Sequence, residues 1–239
     1  MKFDIITIFP NLFKDFINES LLARAQKKRL IKFGIHDLRK WTTDNHRTVD
    51  DRPYGGGAGM VLKTEPIMKA VKNVTMRPVR QAHGKQVQSS RNKQVQGSRN
   101  KMTRVILLSA KGKTFSQKDA RRLAKYDQLV FICGRYEGVD ERVARYIADE
   151  EISIGNYILF GGEIPAMVII ESVSRLIPGV VQKEESVINE SFSDKEAKIK
   201  EHAQYTRPEA VIIEGKRRPV PRVLLSGDHA KIRSWRKSK

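Results

Sequence analysis

Along this chain, short apolar runs repeatedly give way to a glycine-bearing loop and then to a segment of helical period. Residues 2–9 (KFDIITIF), 30–38 (LIKFGIHDL), 104–110, 128–133 and 151–154 are short and rich in β-branched or aromatic side chains, as strands are. Helical segments are expected from Pro10 and Asn11 to about Lys28, near 64–74, after Ser116, over 139–147, and over 163–177 up to Pro178-Gly179. Ser116 with Asp119 three residues later has the form of a helix N-cap. Strands alternating with helices predict an α/β fold built on a mostly parallel sheet, with helices on both faces.

The loops constrain the ligand. Three of them, "LLSAKGK" (107–113), "CGRYEGVDER" (133–142) and "SIGNYILFGGEIPAM" (153–167), each follow a short strand. A P-loop needs a glycine where Leu107 stands, and "CGRYEG" lacks the G-x-G-x-x-G spacing of a dinucleotide site. NTPase and dehydrogenase readings therefore fail on spacing. Small residues in all three loops let a backbone approach a ligand closely, which suits an adenine edge and a ribose. The acids Glu137 and Asp140 suit hydroxyls or a cationic centre better than a phosphate.

The formal charge of +19 points to a polyanionic partner, most simply nucleic acid. No apolar run is long enough to span a bilayer, and no membrane association is expected. The N-terminus makes a poor signal peptide, and the single cysteine, Cys133, fits a reducing compartment, so the expected location is cytoplasmic. Cys133 itself is expected to be an inert core thiol. His36, His83, His202 and His229 show no metal-ligand spacing, and no structural metal site is expected. One segment is anomalous: "QVQSSRNK" (86–93) is followed directly by "QVQGSRNK" (94–101). Residues 77–104 hold eight Arg or Lys and no acid, and a disordered basic surface loop is expected there. It adds RNA affinity on one reading and is a neutral insertion on the other.

Several motifs in fixed order carry a family resemblance. "HRTVDDRPYGGGAGM" (46–60), "CGRYEGVDERV" (133–143), "SIGNYILFGGEIPAM" (153–167), "VSRLIPGV" (173–180), "QYTRPE" (204–209) and "VLLSGDHAKIRSWR" (223–236) closely resemble the bacterial tRNA (guanine-N1)-methyltransferases. These belong to the knotted SPOUT class. The resemblance implies a deep trefoil knot in the C-terminal half of the catalytic domain, followed by a small, mainly helical domain, shortened here relative to longer members. The implied organisation is a catalytic domain over 1–181 with the basic insertion at about 79–103, a linker over 182–203, and a small basic tRNA-binding domain over 204–239. It also implies a homodimer with an active site shared between subunits, and transfer of a methyl group from S-adenosyl-L-methionine to N1 of the guanosine just 3′ of the tRNA anticodon. Mg2+ in the reaction is a further implication of the resemblance alone.

Residue by residue, the resemblance assigns Leu108, Ser109, Ala110, Gly112, Gly134, Tyr136, Glu137, Gly138, Ser153, Ile154, Gly155, Tyr157, Leu159, Gly161 and Gly162 to the cofactor. A core position is an equal alternative for Tyr157. His46, Asp50, Arg52, Tyr54 and Gly55 are assigned to RNA or guanine, against a surface-turn role. Arg175 matches the arginine expected beside guanine O6, although a cation favoured by a helix C-terminus is the plainer reading. The family base is an aspartate before "SF"; the matching "INESFS" places Glu190 there, one methylene longer. Without the resemblance Glu190 is a solvated linker acid. Ala110-Lys111 also replaces the usual Pro-Gln, and Ala203 a proline. The glutamate and the short tail keep a second reading open, a non-catalytic knotted RNA-binding protein. Deleting residues 84–101 should leave a single cooperative thermal transition; loss of that transition would contradict the surface-loop reading.

Overall fold

A computed structural model describes residues 1–75, 102–181 and 202–237. The repeat at 86–101 and Glu190 lie outside the described residues. The chain divides into two compact units, Met1–Glu184 and Glu185–Lys239.

The first unit is built on a five-stranded sheet of order β2-β1-β6-β5-β7. Its strands are β1 (Lys2–Thr7), β2 (Lys32–Asp37), β5 (Thr103–Thr114), β6 (Gln128–Cys133) and β7 (Glu150–Ser153). Every neighbouring pair runs parallel, so the loops after β6 and β7 share one edge of the sheet. A short antiparallel pair, β3 (Asp50–Asp51) with β4 (Val61–Leu62), holds the base of the polar, glycine-rich loop within the 46–60 motif.

Period-2 alternation along β6 explains the two-sided core. Leu129, Phe131 and Cys133 enter one buried cluster with side chains of α2 (Ser20–Lys27), α4 (Gln117–Leu123) and α6 (Glu163–Ser174). Val130 and Ile132 enter a second with side chains of α3 (Thr64–Thr75) and α5 (Glu141–Tyr146). All six residues of β6 are buried, as its unbroken apolar run predicts. Asp4 is the exception in the core of β1. Burial pushes its carboxyl up, but hydrogen bonds from His36, Lys2 and Gln128 outweigh this and hold it below the usual carboxylate range.

Two expectations change. The predicted strand ending at Ala110 runs on to Thr114, and the first loop is an excursion within it. Register with β7 slips between Leu108 and Lys113, leaving Ser109 to Gly112 without partners in β7. A Cβ on Gly112 would stand 2.5 Å from Ile152 N, so the strand resumes against β7 only because that residue is glycine. The second unit, expected to be mainly helical, also contains an antiparallel hairpin of Ala210–Ile213 with Lys216–Pro219. Glu214 and Gly215 both adopt positive φ at its turn, the conformation of a tight two-residue hairpin loop. Helices Arg222–Leu225 and His229–Lys237 follow, the second with Asp228 accepting the N–H groups of Ala230 and Lys231 at its start.

Side-chain caps start α4, as its sequence suggests, and α5. Ser116 accepts the Asp119 N–H ahead of α4, and Asp140 accepts the Arg142 N–H at 2.9 Å ahead of α5. Hydrogen bonds from the Arg142 side chain lower the Asp140 carboxyl to about 2. Because that value lies below an unfolded aspartate, the charged cap stabilises the fold above the ordinary carboxylate range and loses its effect as pH falls towards 2. Asp140→Ala should therefore cost about 1 kcal/mol at neutral pH. Denaturant melts of both proteins should show that difference narrowing between about pH 4 and pH 2.

Candidate functional site

The three glycine-bearing loops converge on one cleft of about 320 Å³ at the carboxyl edge of β5, β6 and β7. Every residue expected on the cofactor side lines this cleft except Gly112, which instead packs behind it against the β7 backbone. Tyr157 is half-exposed, its hydroxyl donating to Ile154 O at 3.4 Å, so it stands at the cleft and not in the core.

Close backbone approach holds the second and third loops together. Gly162 N donates to Gly134 O at 2.9 Å, and Arg135 bridges Gly161 in antiparallel fashion. A Cβ on Gly162 would lie 2.8 Å from Cys133 Cα, inside the contact limit for any side chain. Tyr136 itself takes a left-handed φ of 60°, a conformation that non-glycine residues adopt mainly where the surroundings hold them in it. The Ser153 hydroxyl accepts the Gly155 N–H and donates to Gly155 O, closing the turn at the start of the third loop.

The polar loop is tied to the same wall. Glu137 N donates to Met60 O, Leu62 N to Gly138 O, and Asp140 N to Leu62 O, each at 3.0 Å. A Cβ on Gly59 would strike the Glu137 side chain, so Gly59 admits that carboxylate beside the loop. Beyond these anchors the loop is open. His46, Arg52, Tyr54 and Gly55 are exposed and Asp50 is half-buried in β3; none of these five lines the cleft. Arg175 follows the last residue of α6, is exposed, and is likewise absent from the lining. The structure thus gathers the cofactor-side residues and leaves the RNA-side residues and Arg175 outside the cleft.

Electrostatically the cleft is mixed. Glu137, Glu141 and Glu151 line it with Lys111 and Arg135. Lys111 stands 3.9 Å from Glu141, and Arg135 Nε donates to Glu163 at 2.8 Å. Both cations therefore face carboxylates, unlike a phosphate cradle. The Cys133 thiol is buried, and burial reinforced by the nearby Glu163 charge pushes its ionisation well up, which fits an inert thiol. Sequence reasoning missed Glu163, a fully buried carboxylate at the first turn of α6; the only signal was an acid directly after Gly161-Gly162 at the start of an apolar helix. Among the described residues, no group of three His, Cys, Asp or Glu side chains is placed to hold a metal ion. No described helix is long and apolar enough to cross a membrane.

Comparison with known proteins gives this arrangement a family. The model of the tRNA (Guanine-1)-methyltransferase family, TrmD, matches residues 1–239. A tRNA (guanine-N(1)-)-methyltransferase of Carboxydothermus hydrogenoformans is 47% identical over 237 residues, covering 99% of this chain and 81% of the relative. The Bacillus subtilis protein of the same name is 43% identical, covering 99% of this chain and 86% of the relative. That of Chloroflexus aggregans is 44% identical over 238 residues, 100% of this chain and 82% of its own. With its three-loop cleft on a parallel sheet and a match along its whole length, the chain belongs to the tRNA (guanine-1)-methyltransferase family.

Proposed function

We propose that this protein transfers a methyl group from S-adenosyl-L-methionine to N1 of the guanosine immediately 3′ of the tRNA anticodon, position 37. The observation that carries the reading is the convergence of three glycine-bearing loops on one cleft in a chain that matches the family from end to end. The path of the chain through these loops is read as the deep trefoil knot of the SPOUT class, and the cell compartment as the cytoplasm.

The cleft fits the cofactor chemically. Gly134, Gly138, Gly155, Gly161 and Gly162 keep side chains off its surface, so a ligand can approach the main chain closely, as an adenine edge and a ribose require. Glu137 supplies a carboxylate for hydroxyls or a cationic centre, and the cleft's two cations face Glu141 and Glu163. When bound, S-adenosylmethionine supplies an electrophilic methyl group on a sulfonium. A Mg2+ requirement is implied by resemblance only, and no step below runs through the ion.

The rest of the chemistry belongs to the chain. Guanine N1 carries a proton and becomes nucleophilic only when it leaves, so a positioned base is needed. Glu190 is the proposed base. Loss of that proton builds negative charge on O6, and the Arg175 guanidinium is proposed to stabilise it where it develops. Neither the 46–55 residues nor Arg175 lines the cleft of their own chain. Ile158 and Phe160, which line the cleft, and Ile164, which does not, are 82%, 93% and 53% exposed and leave an apolar surface at its rim. Exposed apolar surface of this kind marks an interface. Together these support a homodimer in which a second copy completes each site. The excess positive charge supports tRNA as the partner, with binding that weakens as salt rises.

A tRNA transcript bearing guanosine 3′ of the anticodon, incubated with the protein and S-adenosylmethionine, should yield N1-methylguanosine by mass spectrometry. The same transcript with adenosine there should not be methylated. Cofactor binding without methylated guanosine would overturn the enzymatic reading. Glu190→Gln should lower turnover roughly 10²- to 10⁴-fold, the usual range for losing a positioned base. Its cofactor affinity by calorimetry should stay near that of the parent, and undiminished turnover would remove Glu190 from the role.

A further inference from the structure

Behind the cleft lies an ion pair that the methyl-transfer chemistry does not use. Glu163 is fully buried in the first turn of α6, and each carboxylate oxygen has one partner. Oε1 accepts the Thr7 hydroxyl at 2.7 Å, and Oε2 accepts Arg135 Nε at 2.8 Å. Arg135 lies over the Phe9 ring, 4.6 Å from its centroid, and Nη1 reaches towards Phe160 O at 3.5 Å. These contacts join the end of β1, the second cofactor loop and the third.

The geometry around the pair is tight. A Cβ on Gly161 would fall 2.3 Å from Arg135 Nε and 2.7 Å from Glu163 Oε2. The third loop therefore folds directly onto the ion pair. A backbone seam, Gly162 N to Gly134 O, lies alongside. Arg135, Phe160, Gly161 and Gly162 line the cleft, whereas Glu163 does not. The carboxylate thus acts on the cleft through Arg135 and Gly161.

A buried ion pair is a weak source of net stability, because desolvation offsets most of the attraction. It is better suited to fixing one arrangement of what it joins. A directional Nε–Oε2 bond, a Thr7 hydroxyl on the opposite oxygen and a helix N-terminus behind the carboxylate leave Arg135 a single seat. We propose that Glu163 is a positioning residue: through Arg135 it sets the separation of the second and third loops, and so cofactor affinity, while leaving the chemical step and tRNA affinity untouched.

This inference rests on the reading of the cleft as an S-adenosylmethionine site, and calorimetry on the parent protein separates the two. If the parent does not bind S-adenosylmethionine, that reading fails. If the parent binds it and Glu163→Gln binds it equally well, only the positioning role fails. Glu163→Gln keeps the shape and removes the charge. Its Kd and KM for S-adenosylmethionine should rise roughly 10- to 100-fold, the range for losing a charge-assisted hydrogen bond. At saturating cofactor, kcat and the KM for tRNA should match the parent. A fall in kcat with an unchanged cofactor Kd would overturn the assignment. The double variant Glu163→Met with Arg135→Met decides the matter even if the single variant does not fold, because apolar replacement of a buried pair restores stability. It should melt close to the parent temperature and still bind S-adenosylmethionine weakly. A parent-like Kd in that double variant would reduce the pair to a structural one and sink the proposal.

Discussion

The site depends on backbone meeting backbone at Gly162. Its amide donates to Gly134 O at 2.9 Å, and its Cα stands so close to β6 that a side chain would collide with Cys133 Cα at 2.8 Å. This contact brings the third loop across the end of β6 and against the second. The cleft has walls because α6 can start there, and α6 starts there because residue 162 has no side chain. The parallel sheet presents loops at one edge, but a shared edge alone does not make a cavity. The glycine contact and the slip of register at Leu108–Lys113 turn three separate strand ends into one concave surface.

A second coupling runs through Gly138 and Glu137. Their main-chain groups pair with Leu62 and Met60, so the stem of the polar loop is an extension of the cleft wall. Gly59 is needed there for the same reason as Gly162, since a side chain would occupy the volume of the Glu137 carboxylate. A shift of the second loop must therefore move the base of the 46–60 segment. Its tip, with Tyr54 fully exposed, stays free to meet another molecule.

Much of this was legible in the residues, for identifiable reasons. β6 is buried on both faces, so its apolar run is unbroken and hard to mistake. Ser116 is visible because an N-cap is a local event, set by one oxygen and an amide three residues on, whereas Asp140, expected to face a ligand, caps α5 instead. The hairpin at Ala210–Ile213 and Lys216–Pro219 was hidden because all four residues of its second strand are exposed and no polar–apolar alternation marks it. The continuation of β5 past Ala110 was hidden because it hinges on one glycine fitting against Ile152, a tertiary fact. Glu163 was the largest omission. A carboxylate following two glycines has the sequence of an exposed helix start, and only the fold places Thr7 and Arg135 over it. Tyr157 shows the converse: its aromatic ring suited a core or a cleft equally, and exposure decides for the cleft.

The distribution of charge completes the separation of the two ligands. A chain with a formal charge of +19 attracts any polyanion, including the phosphates of a nucleotide. Its cleft resists that pull: three glutamates line it against two cations, and both cations face carboxylates. The cleft does not share the chain's basic excess. A ligand that enters the cleft must approach the main chain closely and tolerate acids, which suits a phosphate-free nucleoside carrying a cationic centre. A ligand held by the rest of the surface must be long, anionic and sensitive to salt. On the proposed function, this difference in charge sets the cleft apart from the polyanion that the net charge attracts.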